Sequence, residues 1–174
     1  MIRLILTTIL FVLFGAAYAC KCVGPGTVKE SFNKADLVVY GEVASIDTVR
    51  LAETINVEEA KVVEQKLRDD LKRHFKMTYV LKVNLTIIEI FKGETLRHDI
   101  VIYTPLRSAT CGYRFRMGEE YIVYGSGRNF LSFLFHKEED GRAFRKEGAF
   151  WTTHCTRTSV YSKAEADELS LLKE

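Results

Sequence analysis

From Met77 to Phe91 the chain reads MTYVLKVNLTIIEIF, with Tyr79, Leu81, Val83, Leu85 and Ile87 at every second position and Lys82, Asn84 and Thr86 between them. Alternation of that length predicts a half-buried strand, because successive strand side chains point to opposite faces. The doublet Ile87–Ile88 breaks the alternation and shifts the apolar set to Ile88 and Ile90, which predicts a bulge or a strand that curls between two faces of a barrel. Upstream, LVVYGEVASI within Asp36–Thr48 is rich in β-branched and aromatic residues. It reads as a strand, with Gly41 marking a bulge or the close approach of another backbone. Between these strands the period changes. Over 56–75, Val57, Ala60, Val63, Leu67, Leu71 and Phe75 recur every three or four residues among charged ones. That spacing predicts one amphipathic helix inserted between strands, its apolar stripe packed on the domain and its charged face in water.

Further strands are readable at HDIVIYTP, EEYIVYGSG, NFLSFLFHK and GAFWTTHC, with turn signals at Gly125–Asn129 and Glu138–Gly141. Thr27 with Glu30, and Ser162 with Glu165, have the spacing of capping boxes, so a short helix is expected over 27–35 and a terminal one after Ser162. Five or six strands with flanking helices and no βαβ alternation predict a mainly β fold. The expected architecture is a small closed or partly open barrel of the OB type.

The first 19 residues change the picture. MIRLILTTILFVLFGAAYA has one positive charge, an apolar run and small residues flanking Tyr18. This is the pattern of a secretory signal, too short for the roughly 20 apolar residues of a membrane helix. Cleavage after Ala19 would leave residues 20–174 as a single domain beginning at Cys20, exported and not inserted in a membrane. The destination would be extracellular, or periplasmic or cell-surface in a bacterium. A lipid-modified Cys20 is the rival, and Ala17-Tyr18-Ala19 fits its processing motif poorly. Of 25 Lys and Arg residues Arg3 lies in the leader, leaving 24 against 23 acidic residues, so charge gives no reason to expect nucleic acid as a partner.

Export gives the four cysteines, at 20, 22, 111 and 155, an oxidising environment in which disulfides persist. Of three possible pairings, one joins Cys20 to Cys22 in a ring too small for ordinary disulfide geometry. Each N-terminal cysteine is therefore expected to reach one of the distant pair, in either of two ways. N-termini normally fray, and cysteines at the first and third mature positions would make this one rigid. A thiolate metal site or redox pair is the competing use of C-x-C. Four thiols in an oxidising compartment, without histidine at ligand spacing, argue against it.

The mature start CKCV, the segment IYTPLRSATCGYRF around Cys111, the run EEYIVYG and the FWTTHC ending at Cys155 together resemble the N-terminal inhibitory domain of the tissue inhibitors of metalloproteinases, within the netrin-like module. The resemblance implies an OB-fold barrel with bridges Cys20–Cys111 and Cys22–Cys155, a monomer, and no cofactor of its own. It also implies a partner, a zinc metalloprotease whose catalytic zinc is chelated by the amine and carbonyl of Cys20. Lys21, Cys22 and Val23 would follow into the substrate groove, with Ser108, Ala109, Thr110 and Cys111 along its other side. Three departures are visible. Lys21 stands where the family has a small Thr or Ser that enters the specificity pocket. Phe32 and Asn33 occupy the region where a third disulfide begins, and no cysteine-rich second unit follows Cys155. The helical 50–76 segment replaces a loop that touches the protease in some members. The other expectation open at this stage is a netrin-like interaction module that never meets a protease zinc.

Other conspicuous residues are read as structural. Histidines 74, 98, 136 and 154 have no ligand spacing; Trp151, Phe130, Phe133 and Phe135 read as core; Arg107, Arg114 and Arg116 read as a solvated cluster. Asn84-Leu85-Thr86 is a formal glycosylation sequon on the polar face of a strand. No Ser-His-Asp set or carboxylate pair can be argued from spacing, so an enzyme is not expected.

Overall fold

The computed structural model describes residues 22, 24–94, 97–107, 110–127 and 148–173. Its frame is a long antiparallel hairpin, β1 (Leu37–Arg50) with β2 (Tyr79–Lys92). On β2 lies β3 (Asp99–Pro105), followed in parallel by β5 (Ala149–Trp151); on β1 lies β4 (Glu120–Gly125), followed by β6 (Ser159–Val160). The order across the sheet is β5-β3-β2-β1-β4-β6. The sheet curls until β5 meets the end of β4, where Ser126 and Trp151 exchange two backbone hydrogen bonds of 2.7 and 2.8 Å. This bridge is not a ladder, so the OB-like barrel is not fully closed. The expected mainly β fold of five or six strands with helices is what the described residues form.

Curling is built into the hairpin by three bulges. Pairing steps from Tyr40↔Glu89 to Gly41↔Ile87 and leaves Ile88 unopposed; Phe91 and Ala44 are passed over in the same way. The bulge read from Ile87–Ile88 is therefore present, but Ile88 is 52% exposed and does not carry the apolar face onward. That role falls to Ile90, against the barrel interior, and to Phe91 on the outside. Gly41 sits where a Cβ would lie 2.5 Å from the Thr86 carbonyl oxygen and 3.0 Å from the Leu85 side chain. The close approach expected there is real.

Three apolar clusters follow from the two faces of the sheet. Leu37, Val39, Val43, Val83, Leu85, Ile100, Ile102, Phe115, Tyr121, Val123 and Phe150 fill the interior. On one outer flank, α1 (Val28–Lys34) and the terminal α4 (Lys163–Ser170) cover Val38, Phe91, Ile122 and Tyr124 through Val28, Ala166 and Leu169. Thr27 caps α1 as expected: its hydroxyl accepts from the Glu30 N–H at 3.2 Å, and the Glu30 carboxylate accepts from the Thr27 N–H at 2.9 Å. The second expected box does not form. Ser162 is the N-cap of α4 without a side-chain cap bond, because the Glu165 carboxylate is held by Arg157 and Tyr124.

The other flank is covered by the insertion, which is two helices where one was expected: α2 (Val57–Lys66) and α3 (Asp69–Met77), after a 3-10 turn at Leu51–Thr54. Leu67 and Arg68 are both extended, which ends one helix and starts the next. A straight helix over 56–75 would run about 30 Å. The break folds it back, with Lys76 of α3 paired to Glu64 of α2 at 2.5 Å. Val63, Leu67 and Phe75 are thereby buried together against Leu51, Val80 and Tyr103. Val57 does not join the stripe; it is 66% exposed. Tyr79 is likewise 45% exposed while Val80 is buried beneath the insertion. The expected strand at NFLSFLFHK and its turns lie outside the described residues, as do Phe130, Phe133, Phe135 and His136.

Gly41→Ala is expected to destabilise the protein by about 1–3 kcal/mol, the usual cost of overpacking a tight site. In thermal unfolding that reads as a midpoint lower by several degrees, at roughly 2–4 °C per kcal/mol for a chain of this size. An unchanged midpoint would mean that β1 and β2 are free to move apart at this bulge.

Candidate functional site

Beyond β5 the chain makes a short irregular run, Thr152 to Thr158, pinned to the barrel by threonine hydroxyls. Thr152 Oγ1 lies 2.7 Å from both Thr156 Oγ1 and Thr158 Oγ1 and 3.3 Å from the Tyr124 carbonyl oxygen. The Tyr124 N–H donates to Thr158 Oγ1 at 3.0 Å, and the Thr152 N–H donates to the Tyr103 carbonyl at 2.9 Å. Thr152 and Thr158 are buried, so these hydroxyls would be costly to leave unpaired. Instead each finds a partner, and the run is fixed to strands from both halves of the sheet.

Three contacts leave this run toward the residues singled out by sequence. Cys155 is disulfide-bonded to half-buried Cys22, across 133 residues, with Cα atoms 5.2 Å apart. The His154 N–H donates to the Cys111 carbonyl at 2.7 Å. Arg157 donates from Nη1 to the Gly26 carbonyl at 2.8 Å and from Nε to Glu165 Oε1 at 2.9 Å. The Tyr124 hydroxyl completes this group by donating to Glu165 at 2.7 Å. Burial alone would lower the Arg157 pKa, but the Glu165 carboxylate and the Tyr124 hydroxyl together outweigh it and raise it. Burial, reinforced by the same carboxylate, holds the Tyr124 hydroxyl well above the usual phenol range.

Cys111 lies in a tight turn after β3. The Arg107 carbonyl accepts from the N–H of both Thr110 and Gly112 at 3.0 Å, and from the Thr110 hydroxyl at 2.8 Å. Cys111 has φ of +63°, in the left-handed region, a conformation of order 1–3 kcal/mol above the usual ones for a residue with a side chain. Next to it Gly112 packs so closely that a Cβ there would land on the Pro105 carbonyl. The turn is then locked to β3 by the Tyr113 N–H, which donates to Thr104 Oγ1 at 2.8 Å. The Tyr113 ring leans on Phe115 and Tyr121, and burial pushes its hydroxyl pKa up to about 12. Cys111 is itself disulfide-bonded.

Of the residues singled out, Cys22, Thr110, Cys111 and Cys155 are described, and the structure brings the turn at 110–112 and the 152–158 run together through the His154–Cys111 hydrogen bond. Cys20, Lys21, Val23, Ser108 and Ala109 lie outside the described residues. Arg157 and the threonines around Cys155 escaped sequence reasoning; the recurrence of Thr152, Thr153, Thr156 and Thr158 about one cysteine was the available signal. Asn84 donates from Nδ2 to Ser45 Oγ at 2.6 Å, so the sequon amide serves a cross-strand bond. Among the described residues no group of three or more His, Cys, Asp or Glu could hold a metal ion, and no helix is long and apolar enough to cross a membrane.

A comparison with curated proteins finds no match. The family model described as tissue inhibitor of metalloproteinase matches residues 18–131. That span runs from the N-terminal cysteines through the hairpin and the Cys111 turn to the end of β4. The chain therefore belongs to the tissue inhibitor of metalloproteinase family, whose name points to metalloproteinase inhibition as the activity.

Proposed function

We propose that the protein is a secreted inhibitor of a zinc metalloprotease, acting as a plug through its N-terminal cysteine. Residues 1–19 are removed on export, Cys20 is bridged to Cys111, and the α-amine and carbonyl of Cys20 chelate the catalytic zinc of the target. The observation that carries this reading is the Cys22–Cys155 bridge, which ties the third residue of the proposed mature chain to a run that is itself immobilised.

The chemistry is that of an open coordination site. A catalytic zinc keeps one position for water and readily takes nitrogen and oxygen donors, so a rigid amine–carbonyl pair displaces the water the enzyme would activate. Rigidity matters because ordering a frayed terminus on binding would consume much of the interaction free energy. The amine must be neutral to ligate. With an ordinary α-amino pKa of about 7.7–8.0, binding releases a proton, and affinity falls as pH drops below that range. Lys21, Cys22 and Val23 would run along the substrate groove on one side and Ser108, Ala109, Thr110 and Cys111 on the other. A lysine directed into an apolar pocket incurs a desolvation cost unless its ammonium reaches water or a carboxylate.

Acetylating the mature amine, or adding one residue ahead of Cys20, is expected to abolish inhibition across a panel of zinc metalloproteases while leaving the circular dichroism spectrum intact. Inhibition that survives either change overturns zinc chelation. For the unmodified protein, the inhibition constant should weaken about tenfold for each pH unit below the amine pKa, measured against an enzyme whose own activity is followed in parallel. Lys21→Thr should tighten binding to enzymes with apolar specificity pockets by about 1–3 kcal/mol and weaken it toward a target whose pocket ends in a carboxylate. Equal affinities for the two proteins would place residue 21 outside the pocket.

A further inference from the structure

The segment that follows the proposed zinc-directed residues is attached to the body at two points, and both lie on the same three-residue stretch. Cys155 holds Cys22 covalently, and Arg157 holds the Gly26 carbonyl with a charge-assisted hydrogen bond of 2.8 Å. A single attachment fixes a position. Two attachments four residues apart fix a direction as well.

Resting on the inhibitory reading above, we propose that Arg157 is a positioning residue for the N-terminus: with the Cys22–Cys155 bridge it forms a two-point clamp that sets the path of the chain from Gly26 to Cys22 and so the heading of the Cys20 amine.

Arg157 is well placed for this task. Its guanidinium is held in orientation from behind by Glu165, at 2.9 Å through Nε and 3.4 Å through Nη2, leaving Nη1 for Gly26. The pair is largely sheltered, with side-chain exposures of 27% and 11%, so solvent competes weakly for it. A planar fork that is already oriented loses little freedom when it donates its third hydrogen bond. Anchoring α4 does not require Arg157, because the Tyr124 hydroxyl bonds Glu165 and because Ala166 and Leu169 are buried against Ile122 and Tyr124. The contact to Gly26 is the part of the arrangement that a purely helix-anchoring role leaves without a purpose. Both anchor residues also inherit the stiffness of the threonine network around them, with Thr156 between them and Thr158 just beyond.

The test compares Arg157→Ala and Arg157→Lys with Tyr124→Phe, which loosens the Glu165 group but spares the Gly26 contact. Two quantities are read: inhibition of the catalytic domain of a zinc metalloprotease that the wild-type protein inhibits, and the NMR order parameters of the Gly24 and Gly26 backbone amides. Arg157→Ala should weaken inhibition about tenfold to a hundredfold, the scale of a reacting group displaced by about 1 Å, with most of the loss in the dissociation rate. The order parameters at Gly24 and Gly26 should fall. Arg157→Lys, which keeps a charged donor, should recover part of both. Tyr124→Phe should leave both near wild type even where it lowers the unfolding midpoint. If Arg157→Ala fails to fold, Arg157→Gln takes its place, since it keeps one donor without the charge. Equal loss of inhibition in Tyr124→Phe and Arg157→Ala, or unchanged order parameters at Gly24 and Gly26 in Arg157→Ala, overturns the clamp. If the wild-type protein inhibits no metalloprotease yet the order parameters at Gly24 and Gly26 respond to Arg157→Ala alone, the clamp stands and the inhibitory reading fails.

Discussion

The hydrogen-bonded threonines between β5 and β6 are the constraint on which the N-terminal end of this molecule depends. Their run has almost no regular secondary structure, yet it carries the disulfide to Cys22, the hydrogen bond to the Cys111 turn and the guanidinium on Gly26. Irregular backbone is ordinarily soft, because no ladder holds it. Here hydroxyls replace the ladder, and Thr158 even takes the place of a backbone partner by accepting from Tyr124 N–H. Such a network is stiff only when every member is satisfied. In the loop-entropy picture a bridge spanning 133 residues contributes roughly 4–5 kcal/mol through the unfolded state. What the bridge does for the folded state depends on how firmly Cys155 is held.

The barrel supplies that firmness by being covered on both sides. A sheet with one wet face would read as simple alternation, and the interior positions of β1 and β2 do. Each strand also buries residues of the opposite parity. Val38 lies under α1 and α4, and Val80 lies under the insertion. Trp151 and Tyr103 pack their rings 5.3 Å apart beneath the same insertion. The helical hairpin thus props the β3–β5 side, and the run from Thr152 begins where that packing ends. On this view the insertion supports the frame from which the 152–158 run departs, even though it sits on the far flank from α1.

Legibility in the sequence followed the range of the forces involved. Period and β-branching located the described strands of four or more residues, because strand burial is a local pattern. Ile87–Ile88 revealed a bulge for the same reason, and Gly41 a close approach. The two-residue β6 carries no period to read. The break at Leu67–Arg68 was hidden because the apolar spacing continues across it; burying Val63, Leu67 and Phe75 together against Leu51, Val80 and Tyr103 is a tertiary arrangement. Ser162 and Glu165 had the spacing of a cap, but Glu165 forms a longer-range pair with Arg157, and a strong ionic partner outcompetes a backbone N–H. The chemistry around Cys155 was legible only as far as its cysteines. That Arg157 reaches Gly26, 131 residues away, is a tertiary fact without a local signature.

The same logic bears on how a chain with four cysteines can hold an end that the family resemblance would secure with more. The region where a third disulfide would begin is occupied by Phe32 and Asn33. Their carbonyls, at the end of α1, both accept from Lys92 Nζ, at 2.7 and 3.1 Å, and the same ammonium lies 5.2 Å from the centre of the Phe32 ring. A cation at a helix C-terminus meets both the free carbonyls and the negative end of the helix dipole. The far end of α1 is closed by its capping box, and Val28 is buried against the terminal-helix flank. A helix fixed at both ends needs no covalent staple to stay on the sheet. It can therefore serve as a base next to the contacts that Cys155 makes with Cys22 and Arg157 with the Gly26 carbonyl.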